Sequence, residues 1–443
     1  MKNLLKKVPG VAVVWRSPTV QAVQKRLVRR YGPRFRTLKH RKTLRFMVTG
    51  SKGKTTTTVM LARIMAESGF RVGYCTTDGV VIDGEVAHVG DSAGHEGARR
   101  ILSSSLVDCA VLETARGDLG QRGLYISSCH AAALLNIGWD HVGTGGIESR
   151  EAMLAHKKQV TDASRGRIVL NAEDALVAPL TAFYGVGRCT LFALDPQAVD
   201  AHVGSGGQAV TLTAEKPARI VHRGPVGQHE IISLAEIPCC VDGAVRFNVA
   251  NALAAIALAL AAGVDYDDIR AGLRNFEAWS EALGGERFHV VEGYPFRLVV
   301  DRASSPSSIE GFVSALPALQ QLGRVHVMMT ATGNRPDWFF GEMARIVADA
   351  GVDSFVLYDS EILRRKRAAG EVPELLAAGL RAAEVDEARI TVARNPGVAV
   401  ERMVERACPG DLLCFLGAVQ GAGLLELVTA ELRNKGFGRE GGR

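Results

Sequence analysis

The sequence predicts an α/β protein. A parallel sheet covered on both faces comes first, a small β insertion is set into it, and a smaller α/β domain follows. Three observations carry this. From Leu44 onward, short apolar runs alternate with helical patterns, as strands buried on both faces do. The first run, Phe46-Met47-Val48-Thr49, enters a glycine-punctuated turn and then a helical pattern with Leu61, Ile64 and Met65 on one side. After residue 296 the strand–helix alternation begins again.

The turn is Gly50-Ser51-Lys52-Gly53-Lys54-Thr55-Thr56. Gly50 and Gly53 allow backbone N–H groups to face an anion with no Cβ in the way. A helix opening near Lys54 adds the positive end of its dipole. Lys54 can reach terminal phosphates, and Thr55 offers a hydroxyl to Mg²⁺. The spacing, Gly-x-x-Gly-Lys-Thr, is shorter than the usual phosphate-loop spacing. A tight strand-to-helix turn is the plain alternative, and the strand before and helix after favour nucleotide binding.

The remaining strands follow in order. Arg71–Thr77 is a strand ending in Thr-Thr-Asp-Gly, and Val80–Val86 a short polar hairpin. Val107–Leu112 is a buried strand ending at Glu113, and His130–Ile137 leads to Asp140-His141. Arg167–Leu170 completes the series. In open parallel sheets ligands bind beyond the carboxyl ends of strands. The glycine turn, Glu113 and His141 share that placement, and together they could complete a Mg²⁺–phosphate site. Residues 186–246, with Gly204-Ser205-Gly206-Gly207 among short alternating strands, read as the β insertion. An Ala-rich helix follows from Asn248 to Ala262. Strands at Arg297–Asp301, Val325–Thr330, Phe355–Tyr358, Ile390–Val392 and Leu412–Leu416 form the second domain. Residues 1–44 are thus expected to be an appendage, 45–278 a central domain, and 279–443 a C-terminal domain whose last residues, Gly436–Arg443, are frayed.

The 443 residues suffice for two or three domains. No run of eighteen apolar residues occurs, so no transmembrane segment is expected. The N-terminus lacks a clean secretory signal. Eight scattered cysteines without a Cys-x-x-Cys pair suggest free thiols in a reducing cytoplasm and no zinc site. The net charge of +6 conceals an asymmetry: residues 1–45 hold 14 Lys and Arg and no acid, leaving 39 basic against 47 acidic residues in the remainder. Val20, Val23, Leu27 and Val28 lie at helical spacing among Lys25, Arg26, Arg29 and Arg30. A short basic helix of this kind suits a polyanion, an acidic partner or a membrane surface, or the protein's own acidic body. Aromatics are too few there for a nucleic-acid stacking platform.

From about residue 45 to the end, the chain resembles the Mur ligases, in particular the C-terminal Mur-ligase-like half of cyanophycin synthetases. The matching blocks are Thr49–Thr57, Thr76-Thr77-Asp78-Gly79, Gly90-Asp91 with Gly94, Ala110–Gly117, Leu135-Asn136 with Asp140-His141, Leu154–Lys158, Arg246–Val249 with Asn251–Ala255, and Leu363-Arg364 with Gly370–Val372. The resemblance implies a P-loop central domain followed by a Rossmann-like C-terminal domain. It implies an ATP- and Mg²⁺-dependent, ADP-forming ligase that joins a carboxylate to an amine through an acyl phosphate. By position, Lys54 is the phosphate-binding lysine, Thr55 a Mg²⁺ ligand, and Glu113 and His141 ligands of a second metal. Lys158 lines up with the lysine that is often carbamylated to bridge Mg²⁺, with Lys157 beside it leaving the register open. Asn248 matches the asparagine that meets adenine, Arg287 the arginine that opens the C-terminal domain, and Asp301 the first residue of the motif that follows it, and the resemblance implies that all three serve the nucleotide.

The chain also departs from the pattern. The family's Asp-Tyr-Ala-His-Asn-Pro is Asp301-Arg302-Ala303-Ser304-Ser305-Pro306 here, Gly-Asp-Arg is Gly333-Asn334-Arg335, and Asp118 replaces a glycine. An N-terminal ATP-grasp domain is not part of the match. Two functions therefore compete. One is a ligase acting on an amino acid, short peptide or acidic polymer, provided by a separate ATP-grasp ligase, in a cytoplasmic homo-oligomer. The other is a catalytically weak homologue that serves as a nucleotide-binding partner subunit. A nucleic-acid-binding ATPase is the third and least supported.

Overall fold

The computed structural model describes residues 42–139, 142, 146–276, 286–320, 322–417 and 423–437. The basic leader helix, Asp140, His141 and the end of the chain from residue 438 lie outside the described residues.

Two sheets organise the chain. The first has eleven strands: β1 (Leu44–Thr49), β2 (Val72–Cys75), β3 (Gly79–Ile82), β4 (Glu85–Val89), β5 (Cys109–Glu113), β6 (Ala131–Leu134), β7 (Ile168–Asn171), β8 (Cys189–Phe192), β9 (Gln208–Leu212), β10 (Arg219–Gly224) and β11 (Gly227–Ser233), in the order β11-β10-β9-β8-β7-β6-β1-β5-β2-β3-β4. From β9 to β2 every neighbour is parallel. Antiparallel hairpins close both edges. The second sheet has β12 (His289–Val291), β13 (Arg297–Asp301), β14 (Val325–Met329), β15 (Ser354–Tyr358), β16 (Ile390–Ala393) and β17 (Leu412–Leu416), in the order β12-β13-β17-β14-β15-β16. Only β12 runs antiparallel.

The short strands expected in residues 186–246 are present. As β8 to β11 they continue the first sheet to its edge. Leu191, Phe192, Ala209, Val210, Ile220 and Val221 are buried, so the sheet has apolar cover well beyond its parallel centre.

Period-two packing explains the central strand. Phe46 and Val48 face a core shared with Met60, Leu61 and Ile64 of α1 (Lys54–Glu67) and Leu253, Ile256 and Leu258 of a later helix. Met47 faces the other side, with Ala110, Leu112 and Ala132 of the sheet and Ile101 of α2 (His95–Ser103). After α2 come α3 (Arg116–Arg122), α4 (Arg150–Asp162) and α5 (Arg246–Ala261). Helix α5 is apolar around its whole circumference, and Asn251 to Ala259 are all buried. Its alanines let it lie close against both the sheet and α1, which packs beside it on the same face, as an enclosed helix must.

At β1 the strand order reverses: β5 and β2 lie on one side, β6 and β7 on the other. Such a switch point opens a crevice beyond the strand carboxyl ends, and the glycine turn is the continuation of β1.

Candidate active site

The turn after β1 is held open by its neighbours. Asn136, just past β6, accepts the amides of Ser51 at 3.0 Å and Lys52 at 2.8 Å on its Oδ1 and donates Nδ2 to the Lys52 carbonyl at 3.2 Å. Ser51 Oγ accepts the Gly138 amide at 2.9 Å. Gly53 has φ +82°, and a Cβ there would stand 2.2 Å from Asn251 Oδ1. Only glycine meets both conditions. No side chain caps α1, which starts at Lys54, so the first-turn amides and the dipole face the crevice. Thr56 is buried beneath the turn, and Lys54 Nζ lies 3.2 Å from the Ser51 carbonyl.

Glu113 closes β5 at full burial. Its Oε2 accepts the Thr55 hydroxyl at 2.9 Å and the Thr77 amide at 3.4 Å. Its Oε1 is buried without a hydrogen-bond partner. Burial pushes the Glu113 carboxyl above its ordinary value, against the opposing charge of Lys54 and the Thr55 hydroxyl. An unsatisfied carboxylate oxygen beside a hydroxyl is a hard-oxygen donor set that suits Mg²⁺. His141, expected as a third member, lies outside the described residues. Among the described residues no group of three His, Cys, Asp or Glu side chains converges as a metal cluster.

The second sheet contributes from above. Arg287 donates Nη2 to Thr77 Oγ1 at 3.3 Å and approaches the buried Asp78 carboxylate at 3.5 Å. Burial pulls its guanidinium down, but Asp78, Asp301 and Glu113 together hold it above its ordinary value. Arg302 donates to the same Asp78 oxygen. Lys52 donates Nζ to Ser305 Oγ at 2.8 Å. Asp301, expected at the nucleotide, has both carboxylate oxygens engaged by backbone: they accept the amides of Phe288 and Ala303, each at 2.6 Å. Its observed task is to fix the chain on either side of Arg287 and Arg302.

Two expectations change. Lys158 points away from the crevice: it pairs with Asp162 at 2.6 Å and lies 3.8 Å from the centre of the Phe183 ring. Lys157 is buried and donates to the Gly50 carbonyl at 2.7 Å. Consecutive residues on α4 are about 100° apart, so only one of them can face the site, and it is Lys157. Asn248 is turned inward, donating to the Cys239 carbonyl at 2.8 Å, with its amide in the core rather than the crevice.

A cleft of about 590 Å³ is lined by Gly50, Ser51, Lys54, Thr77, Lys157, Arg116 and Arg122 together with Asp91, Glu96 and Asp118, the last paired with Arg122 at 3.4 Å. Sequence reasoning assigned no role to Asn136, Asp78, Arg116 or Arg122, and left Lys157 as the alternative to Lys158. The Thr76–Gly79 and Leu135-Asn136 blocks were the available signal. A second cavity, about 630 Å³, lies beyond the carboxyl ends of β15, β16 and β17, lined by Asp359, Glu361, Arg364, Arg394, Asn395 and Glu426 among others.

Residues 48–259 match the Mur ligase middle domain, and residues 286–419 match the glutamate ligase domain of the Mur ligases. The chain belongs to the Mur ligase family. It is 32% identical over 377 residues to the cyanophycin synthetase of Trichormus variabilis, a match that takes in 83% of this chain and 40% of that protein. The chain thus spans about two fifths of the cyanophycin synthetases it resembles. Among solved structures, MurF from Acinetobacter baumannii superposes with TM-score 0.65 at 18% identity, covering 92% of this chain and 80% of that one. The bifunctional folylpolyglutamate synthase/dihydrofolate synthase of Yersinia pestis, complexed with AMPPNP and Mn ion, gives 0.61 at 18% identity, covering 92% and 93%. These two structures share the Mur ligase fold. Among the described residues no helix is long and apolar enough to cross a membrane.

Proposed function

We propose that this Mur ligase family member is an ADP-forming ligase that joins a carboxylate to an amine through an acyl phosphate. The single observation that carries the proposal is the orphaned Glu113 Oε1, buried at the carboxyl end of β5 next to Thr55 and the first turn of α1. A carboxylate kept dry and unsatisfied beside an anion-binding helix end makes sense where a cation and phosphates meet.

ATP would lie along the glycine turn, its terminal phosphates on Lys54 and the free amides of α1. Glu113 and Thr55 would hold Mg²⁺, which supplies the positive charge that lets two anions approach. An oxygen of the acid substrate attacks the terminal phosphorus and ADP departs. The amine nitrogen then attacks the acyl carbon, phosphate departs, and the amine proton passes to solvent or a base. Lys157 and Arg116 are placed to orient the acid, and positioning with charge neutralisation does most of the work. The amine substrate suits the second cavity: its carboxylates would receive an amino or guanidino group and Arg364 or Arg394 a carboxylate. An amino acid, peptide or acidic polymer, the last made by a separate ATP-grasp ligase, fits this class. The cytoplasm and a homo-oligomer remain part of the proposal.

The test is a screen of amino acids and short acidic peptides for ATP-dependent phosphate release, with mass spectrometry of the product. A substrate-dependent release with a product lighter than its two components by one water supports the ligase. The partner-subunit reading is favoured by the loss of the family's His and Asn at Ser304 and Ser305. It predicts tight ADP binding with no release from any substrate.

A further inference from the structure

The segment Asp301–Pro306 is where the chain departs most from its family, and two of its replaced positions reach the other sheet. Arg302 pairs with Asp78 across 224 residues of sequence, and Ser305 accepts the Lys52 ammonium at 2.8 Å across 253. Three of the four groups are held by their own surroundings. Asp301 is pinned by the amides of Phe288 and Ala303. Ser305 is the N-cap of α6 (Pro306–Val313), joined to Ser308 Oγ at 2.9 Å. Asp78 is buried, and its amide donates to Thr76 Oγ1 at 3.1 Å. An aromatic side chain at 302 has no charge to offer Asp78, which would then rely on Arg287 at 3.5 Å.

We propose that Arg302 and Ser305 form a clasp that holds the second sheet and its helices against the phosphate loop before nucleotide arrives, so that the closed arrangement is the resting one. The proposal rests on reading the crevice as the nucleotide site. Both are positioning residues: they act through Asp78 and through Lys52, and neither needs to touch the reacting atoms. Lys52 has three donors, so Ser305 can steady it without withdrawing it from phosphate. A preset closed state makes nucleotide entry and ADP release wait on opening. Because Arg302 is partly exposed and Lys52 exposed, salt should weaken the clasp.

Small-angle scattering of the nucleotide-free full-length protein tests it, using wild type, Arg302→Met, Arg302→Lys, Ser305→Ala and Arg302→Met/Ser305→Ala. The clasp predicts a compact wild type that expands with rising salt, an expanded double variant at every salt concentration, and recovery in Arg302→Lys. Release of a fluorescent ADP analogue should be about tenfold faster in Arg302→Met, as expected when a closed population is lost. Superimposable wild-type and double-variant profiles at all salt concentrations would overturn the clasp. So would unchanged ADP release in folded variants. Should Arg302→Met not fold, Ser305→Ala and the wild-type salt series decide alone. A protein that binds no ADP analogue refutes the nucleotide site, while the scattering still judges the clasp.

Discussion

Glu113 holds a carboxylate in a place that disfavours one. Its acid form is favoured by burial, so its contribution to stability is present below the unfolded value, about 4.3, and is lost as pH rises through the higher folded value. At neutral pH the ionised group destabilises the metal-free protein. Glu113→Gln should therefore raise the unfolding midpoint in chelator at pH 7–8 by about 2–4 °C, the scale of ~1 kcal/mol in a domain of this size, and the gain should vanish near pH 4. Mg²⁺ with ATP should reverse the order by stabilising only the wild type. Calorimetry across pH, with and without Mg²⁺, reads both effects, and turnover should fall in the variant at every Mg²⁺ concentration tried. Lys157 and Lys158 offer a second contrast. Lys157→Ala removes a buried donor from the Gly50 carbonyl and should cost about 1–3 kcal/mol along with nucleotide affinity. Lys158→Ala removes a partly exposed pair with Asp162 and should change stability by less than about 1 kcal/mol. Urea unfolding and ADP titration of the two variants check this, and equal losses would put both lysines in the site.

Among the elements, β1, its turn and α1 were legible because every signal is local: an apolar run, two glycines, Lys-Thr, then a helical period. Glu113 was legible because it ends a buried strand. The pairing of β8 to β11 was not, since alternation shows which residues face inward but not which sheet edge the strand joins. The choice between Lys157 and Lys158 depends on the rotation of α4, which only packing sets. Asp78 gave little sign of its task, because its partners Arg287 and Arg302 stand more than two hundred residues away. The turn itself allows a sharp test. Gly53→Ala must bear both a positive φ and a collision with Asn251, and a strained backbone of this kind costs about 1–3 kcal/mol. Nucleotide binding by calorimetry should be lost while far-ultraviolet dichroism stays that of the wild type. Intact binding would show that the turn tolerates a side chain and does not cradle phosphate.

For the whole molecule, charge is divided along the sequence. The charged residues among the first 45 are all basic, and the remainder is net acidic. Removing residues 1–41, which leaves β1 whole, should weaken binding of a polyaspartate chain at low salt and leave ADP affinity unchanged. The wild type should lose that binding steeply as the Debye length shrinks from roughly 30 to 8 Å between 0.01 and 0.15 M salt. Anisotropy titrations at the two ionic strengths suffice. Equal polyaspartate affinities for the full and shortened chains would leave the basic leader to the protein's own acidic surface.

The strand order of the second sheet bears on how the protein is made. β17 lies between β13 and β14, paired with both, yet it follows both of them in the chain. Until Leu416 has emerged, β13 and β14 have no common neighbour, and their apolar faces await a partner made more than eighty residues later than β14. The first sheet carries no such debt, because its whole set of strands is complete once β11 has emerged. Translation therefore yields a first sheet with its described strands in place, tethered to an unfinished second one, the kind of nascent species that recruits chaperones. Chains arrested before β17 should show a protease-resistant first half and a wholly digestible second.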